Sequence, residues 1–346
     1  MNSRERVLAA IARRPVAHVP VGFDAHEGIT RRLMEHYGAT DRLSLFNRMG
    51  IDGFSVFCES FVGPRYIGPP PPSLPDGGSC DFWGIDFHQR RLPMASVQTL
   101  ADLARHPFPS ADWFDYSGIR EQCLKVKRLG LPTVGGEGGC GIQHVINLRG
   151  YEQALTDPLI APDLTHAYME RLGDFFVEWN ERWLGAAQGE LDIFRCGDEI
   201  GANDRTHCSP DVWREFYKPQ LRRIFAVAKR RGLKIWFHCC GCCRPLLEDL
   251  IEIGVDLWDP VPGYVAGNNQ PELKRVYGGR LAFIGGVDTV NVLRLGTVRE
   301  VRDEVRRCLD TFAPGGGYIL GGSQVLQDDV PLANAVAMFE TAVELG

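Results

Sequence analysis

The chain alternates short apolar runs with longer amphipathic stretches. The runs His18–Phe23, Gly53–Phe57, Leu131–Gly135, Asp192–Cys196, Lys234–His238, Val255–Trp258, Ala282–Gly285 and Tyr318–Leu320 read as strands. Between them, helical spacing of apolar positions predicts helices over Tyr116–Leu129, Asp163–Ala187, Pro210–Arg231, Arg244–Ile253, Glu272–Tyr277, Val298–Phe312 and Leu332–Leu345. Ser209-Pro210 and the Thr297/Glu300 pair supply helix-start signals, and Gly232 a stop. Eight strands separated mostly by helices imply parallel pairing, and eight such units close naturally into a (β/α)8 TIM barrel. An open doubly wound sheet is the alternative, but no GxGxxG follows the first strand. One segment breaks the rhythm. Residues 63–93 contain GPPPPSLPDGG, which suits neither helix interior nor central strand. It is expected to be an excursion on the barrel rim, with WGIDFHQRRLPM as a hairpin, in a single barrel unit spanning 1–346.

Composition narrows the function classes. The 346 residues are 44% hydrophobic and 24% charged, which excludes a disordered or collagen-like chain. The net charge of −6 and the lack of a basic block argue against nucleic acid or an anionic membrane as partner. The N-terminal MNSRERVLAAIARRP has no long apolar stretch, and no run is long enough to span a bilayer. A cytoplasmic location is expected, with the 11 cysteines as thiols or metal ligands. Apolar outer helix faces are compatible with a homodimer.

In such barrels the chemistry sits at the C-terminal strand ends. Those ends carry Asp24, Glu59, Glu137, Asp198, His238 with Cys240, Asp288 and Gln324. The sharpest local signal is KIWFHCCGCCRP at 234–245. Alternate residues of an extended chain share a face, so His238 and Cys240 point together into the mouth, as half of a tetrahedral zinc site. The competing reading is a set of small buried thiols beside a hydrogen-bonded histidine. The C-x-x-C pairs Cys239/Cys242 and Cys240/Cys243 lack a thioredoxin-like context, and four thiolates within five residues cannot all face one iron–sulfur cube. Asp198, flanked by glycines in CGDEIG, reads as a catalytic base or substrate partner, or else as a capping aspartate. Glu59 and Glu137 have the same standing by position. Asp288 before Thr289 reads equally as a ligand or as a structural turn residue.

At these residues the sequence resembles the uroporphyrinogen decarboxylase superfamily. The likeness is carried in order by SRERVLAAIARRPVAHVP, GDEIG, SPDVWREFYKPQLRRI, HCCG, PLLEDLIEIGVDLWDPV, ELKRVYGGRLAFIGGVDT, GTVREVRDEVRR, APGGGYIL and DVPLANAVAMFE. It implies a distorted (β/α)8 barrel. It also implies one of two chemistries: decarboxylation of a porphyrinogen without a cofactor, or zinc-dependent methyl transfer involving a thiol and a corrinoid partner protein. The methyltransferase branch has His-x-Cys after the fifth strand, matched by His238 and Cys240. Its third ligand, a cysteine, falls on Gln324. Glutamine is a poor zinc ligand, so either another group such as Glu59, Glu137, Asp198 or Cys196 completes the shell or the chain is not an enzyme of the coenzyme M type. The decarboxylase branch implies an Arg-rich N-terminal motif, where this chain has VGFDAHEG, and an aspartate that falls near Glu59. The resemblance therefore favours a zinc enzyme transferring methyl groups between a small substrate or thiol and a corrinoid protein. His238 and Cys240 would hold metal, Asp198, Glu59 and Glu137 would serve catalysis, and Gln324, Asp24 and Asp288 would face substrate. Decarboxylation of uroporphyrinogen or a related acid is the alternative, and a barrel that binds a tetrapyrrole without turnover is a third reading.

Overall fold

The computed structural model describes residues 1–54, 60–74, 78–86, 88 and 91–346. Two short strands, β1 (Arg65–Tyr66) and β2 (Phe114–Asp115), pair antiparallel outside the main sheet. The main sheet runs β3 (Val134–Gly135), β4 (Ile193–Gly197), β5 (Lys234–His238), β6 (Leu257–Asp259), β7 (Ala282–Val287) and β8 (Tyr318–Gly322), all parallel and in chain order. Two further staves close it. Gly22 donates to the Leu320 carbonyl at 2.8 Å, and Phe23 to that of Phe54 at 3.1 Å. At the other edge Val62 donates to the Val134 carbonyl, and Val134 to that of Ser60, each at 2.8 Å. The result is the expected (β/α)8 barrel, whose first two staves join it, among the described residues, through bridges at Val21, Gly22, Phe54 and Phe61. Residues 55–57 of the second expected strand lie outside the described residues.

Strand alternation sorts the side chains into two cores. Phe54, Val134, Ile193, Trp236, Leu257, Ala282, Ile284 and Ile319 point inward and pack together. Phe194, Cys196, Ile235, Phe237, Trp258 and Phe283 point outward into the helical layer. The helix Ser3–Ile11 pushes Val7, Ala10 and Ile11 into the inner cluster. Arg4 of the same helix pairs with Asp192, just before β4, at 2.6 Å. That helix therefore plugs the N-terminal end of the barrel and leaves the opposite mouth for ligands.

The helices Val298–Phe312 and Leu332–Leu345 have the predicted bounds, and Thr297 with Glu300 forms the expected capping box. The helix predicted from Pro210 to Arg231 is segmented into Pro210–Val212, a π turn at Trp213–Tyr217, and Lys218–Lys229. The irregularity adjoins Pro219, which has no N–H to continue the regular ladder. Gly232, at φ 75°, ends this helix in a left-handed conformation that suits glycine. In the rim excursion, residues 87, 89 and 90 of the expected hairpin lie outside the described residues. Its described part is a turn in which the Asp81 carboxylate accepts from Trp83 and Ile85 N–H, at 2.9 and 2.8 Å. Phe82 and Trp83 then lie against Phe175, Phe176 and Trp179 of the helix Pro162–Ala186. Among the described residues no helix is long and apolar enough to cross a membrane.

Candidate metal and substrate site

β5 carries Trp236 inward at mid-barrel, so the alternation brings His238 and then Cys240 inward at the mouth. β4 follows the same rule from Ile193, through Arg195 and Gly197, to Glu199. Gly197 pairs in register with His238, which sets Glu199 beside Cys240. The Cys240 thiol lies 2.9 Å from Glu199 Oε1, and His238 Nε2 lies 3.5 Å from the same oxygen. One ligand atom of each residue lies within 4.8 Å of the other two.

The imidazole is held from behind. His238 Nδ1 donates to Asp259 Oδ2 at 2.8 Å, because a carboxylate can only accept, and this leaves Nε2 toward Glu199 and Cys240. Asp259 is itself buried, and its other oxygen accepts from the Trp236 indole. A histidine whose far nitrogen is fixed by a carboxylate is the usual arrangement behind a metal ligand. The electrostatics agree. Burial opposes a charged His238, but Asp259 and Glu199 outweigh it and hold the ring proton far above the usual histidine range. Burial likewise opposes the Glu199 charge, yet hydrogen bonds from His238 and Cys240 keep its carboxyl below the usual range. Burial and the adjacent Glu199 carboxylate raise the Cys240 thiol, and hydrogen bonds from His238 and Gln324 only partly oppose that rise. A proton on Nε2 would bridge toward Glu199 and Cys240, which is how those neighbours favour the charged ring. A divalent cation can take over that role, and nitrogen, sulfur and oxygen donors suit zinc, with three protein ligands leaving one position for substrate.

Glu199, the third member, was not among the residues expected to complete the shell. Cys196 and Asp198 have the opposite strand parity. Cys196 is buried in the helical layer, its thiol 3.5 Å from the Gly138 carbonyl. Asp198 is buried and accepts from Ile142 N–H at 3.1 Å and Gln143 N–H at 2.9 Å. It thereby caps the helix Ile142–Arg149 from another segment of chain. Burial pushes its carboxyl up to about 7 against those two donors. The close fit explains Gly141: a Cβ there would come within 2.1 Å of the Asp198 carboxyl carbon. The signal for Glu199 was present in the sequence, in the count of two from Ile193 along β4.

The other expected residues are distributed around the mouth. Glu137 lies outside the trio and lines a cavity of about 310 Å³ with Phe82, Trp83, His144, Phe176, Trp179 and Gly197. Burial raises its carboxyl, and the charge of Arg195 opposes that rise. Gln324 follows β8 and bears on both Cys240 and Tyr264, so the position where the resemblance puts a ligand does adjoin the trio. Asp288 caps the turn that follows β7, accepting from Val290 and Asn291 N–H at 2.8 Å each. Asp24 is half-buried after the first stave, where its carbonyl accepts from Leu326 at 2.9 Å. Glu59 lies outside the described residues. The Cys240/Cys243 pair is split, because Cys240 faces the mouth while Cys243 is buried in the helical layer, where its side chain meets that of Cys239.

Comparison with known proteins adds three findings. The family described as uroporphyrinogen decarboxylase (URO-D) matches residues 132–345. A methylated-thiol–coenzyme M methyltransferase of Methanosarcina mazei is 26% identical over 150 residues, 43% of this chain. The match spans only 37% of that relative's length. A solved structure described as a methyltransferase from Methanosarcina mazei is 19% identical, covers 99% of both chains and superposes with a TM-score of 0.60, which shows a shared fold.

Proposed function

The chain belongs to the uroporphyrinogen decarboxylase family, and from that premise we propose that it is a zinc-dependent methyltransferase. It would move a methyl group between a small methylated substrate or thiol and a corrinoid carried by a partner protein. The observation that carries this reading is the convergence of Glu199, His238 and Cys240 on one point, with Asp259 fixing the histidine. The partial likeness to a methylated-thiol methyltransferase supports it.

Glu199, His238 and Cys240 would hold the ion, and zinc would keep a coordinated thiol deprotonated near neutral pH or polarise a methylated heteroatom. By accepting from Nδ1 of His238, Asp259 would leave Nε2 available to the ion. Gln324, beside Cys240, offers an amide to a substrate polar group. The aromatic walls of the adjoining cavity, Phe82, Trp83, Phe176 and Trp179, keep water from the non-reacting part of the substrate.

Metal analysis of anaerobically purified protein should give about one zinc per chain, falling to background when His238 and Cys240 are both replaced by alanine. The same variant should lose methyl transfer from methylcobalamin to a thiol by more than about a hundredfold. Zinc well below one per chain, with transfer unaffected in the double variant, overturns the reading.

A further inference from the structure

The rim turn around Phe82 and Trp83, the helix Ile142–Arg149 and the helix Pro162–Ala186 border the cavity of about 310 Å³ that reaches the end of β4 at Gly197. Two kinds of side chain dominate its walls. Phe82, Trp83, Phe176 and Trp179 supply aromatic rings, and Asp81 and Glu137 supply carboxylates. The rings hold one another in place. Trp83 stacks on Phe176 with centroids 5.6 Å apart, and meets His144 edge-on at 4.8 Å. Phe82 meets Trp179 edge-on at 5.8 Å. The walls are thus in position before a ligand arrives, which spares the cost of ordering them.

The charge of these walls is one-sided. Among the described residues that line the cavity there is no lysine or arginine. Burial pushes the His144 imidazole down to about 3, so that ring is uncharged near neutral pH. Burial raises both carboxyls, as expected of acids short of compensation. Asp81 accepts from backbone N–H groups of its own turn, and Glu137 Oε1 from Gly138 N–H at 3.2 Å. Among the described residues neither carboxylate has a cation within ion-pair distance. Arg195 lowers the Glu137 carboxyl from further off and does not line the cavity. Two more polar atoms of the lining residues, His144 Nε2 and Trp179 Nε1, are buried without a hydrogen-bond partner.

An anion here would face two carboxylates, and a neutral apolar ligand would bury them further without compensation. A primary ammonium is strongly hydrated and needs several acceptors at once. A methylated ammonium is weakly hydrated, and aromatic rings with a carboxylate nearby are the walls that suit it.

We infer that this cavity binds a methylated organic ammonium group, caged by Phe82, Trp83, Phe176 and Trp179 and balanced in charge by Glu137 and Asp81. The inference rests on the methyl-transfer reading only in making this ligand the substrate, with the ammonium as its non-reacting end. Gly197, which lines the cavity and pairs in register with His238, marks the side on which the trio lies.

Calorimetric titration of the full chain with choline and with 3,3-dimethyl-1-butanol tests this without turnover, because the two differ only in having charged nitrogen or neutral carbon at the branch point. Choline should bind about tenfold more tightly. That advantage should shrink severalfold in Glu137→Gln, which keeps the shape of the side chain, and in Trp83→Leu, which removes a ring. Should Trp83→Leu lose its fold, judged by Tm, Glu137→Gln and Phe82→Leu carry the test. Equal affinity for the two compounds would make the cavity an apolar pocket only and overturns the inference. So does a choline preference that survives both the charge and the ring variants, or binding of neither compound. Absence of zinc from the same wild-type sample would overturn the metal reading alone, and the choline preference would still decide on the cavity.

Discussion

A single side chain, Asp259, sets the quality of the candidate metal site. His238 can offer Nε2 only while its other nitrogen has an acceptor, and that acceptor is Asp259 at 2.8 Å. Asp259→Asn keeps the shape but removes the charge, so the imidazole is both less basic and less strictly oriented. Zinc affinity should fall about 10- to 100-fold, read by competition with a chromogenic chelator, while Tm of the metal-free protein changes little. Unchanged affinity would mean that His238 does not ligate through Nε2. His238 and Cys240 were legible in the sequence because two residues on one extended face need only the strand period. Glu199 required the same count on a different strand, and its neighbour Asp198, set off by glycine, drew the attention instead. Neighbouring residues on a strand point to opposite faces, so Asp198 and Glu199 cannot share a role.

Among the elements, the helix Ile142–Arg149 depends on a cap from outside itself. Its own N-cap, Gly141, has no side chain to accept from its first N–H groups. Asp198 supplies that acceptor across the strand–helix interface. Asp198→Ala should therefore destabilise the fold by about 1–2 kcal/mol, measured by urea unfolding, the upper part of the range found for loss of a cap. Under the proposed reading the folded variant should still bind zinc at wild-type stoichiometry. A variant with unchanged stability and lost activity would instead give Asp198 the catalytic part that its sequence position suggested. Such a cap is invisible along the chain, since the acceptor and its donors lie more than fifty residues apart.

On the scale of the molecule, the barrel places a plug at one end and the chemistry at the other. A metal that binds only the native arrangement must stabilise the whole fold, because Glu199 follows β4 whereas His238 and Cys240 belong to β5 and its continuation, and the unfolded chain cannot gather them in the same way. Unfolding free energy with zinc at a hundred times its dissociation constant should exceed that with chelator present by about 2.7 kcal/mol, and the difference should vanish in His238→Ala. Differential scanning calorimetry reads both. Eight apolar runs, the helices between them and the inward pair His238/Cys240 were all determined by the sequence alone. Each depends on a short-range period of side chains along the backbone and on nothing further away. The tertiary structure alone decided which carboxylate completes the trio, that Asp259 stands behind the histidine and that Asp198 serves a helix. Those outcomes depend on the register between neighbouring strands and on which face each side chain presents once the sheet has closed, and local spacing carries neither.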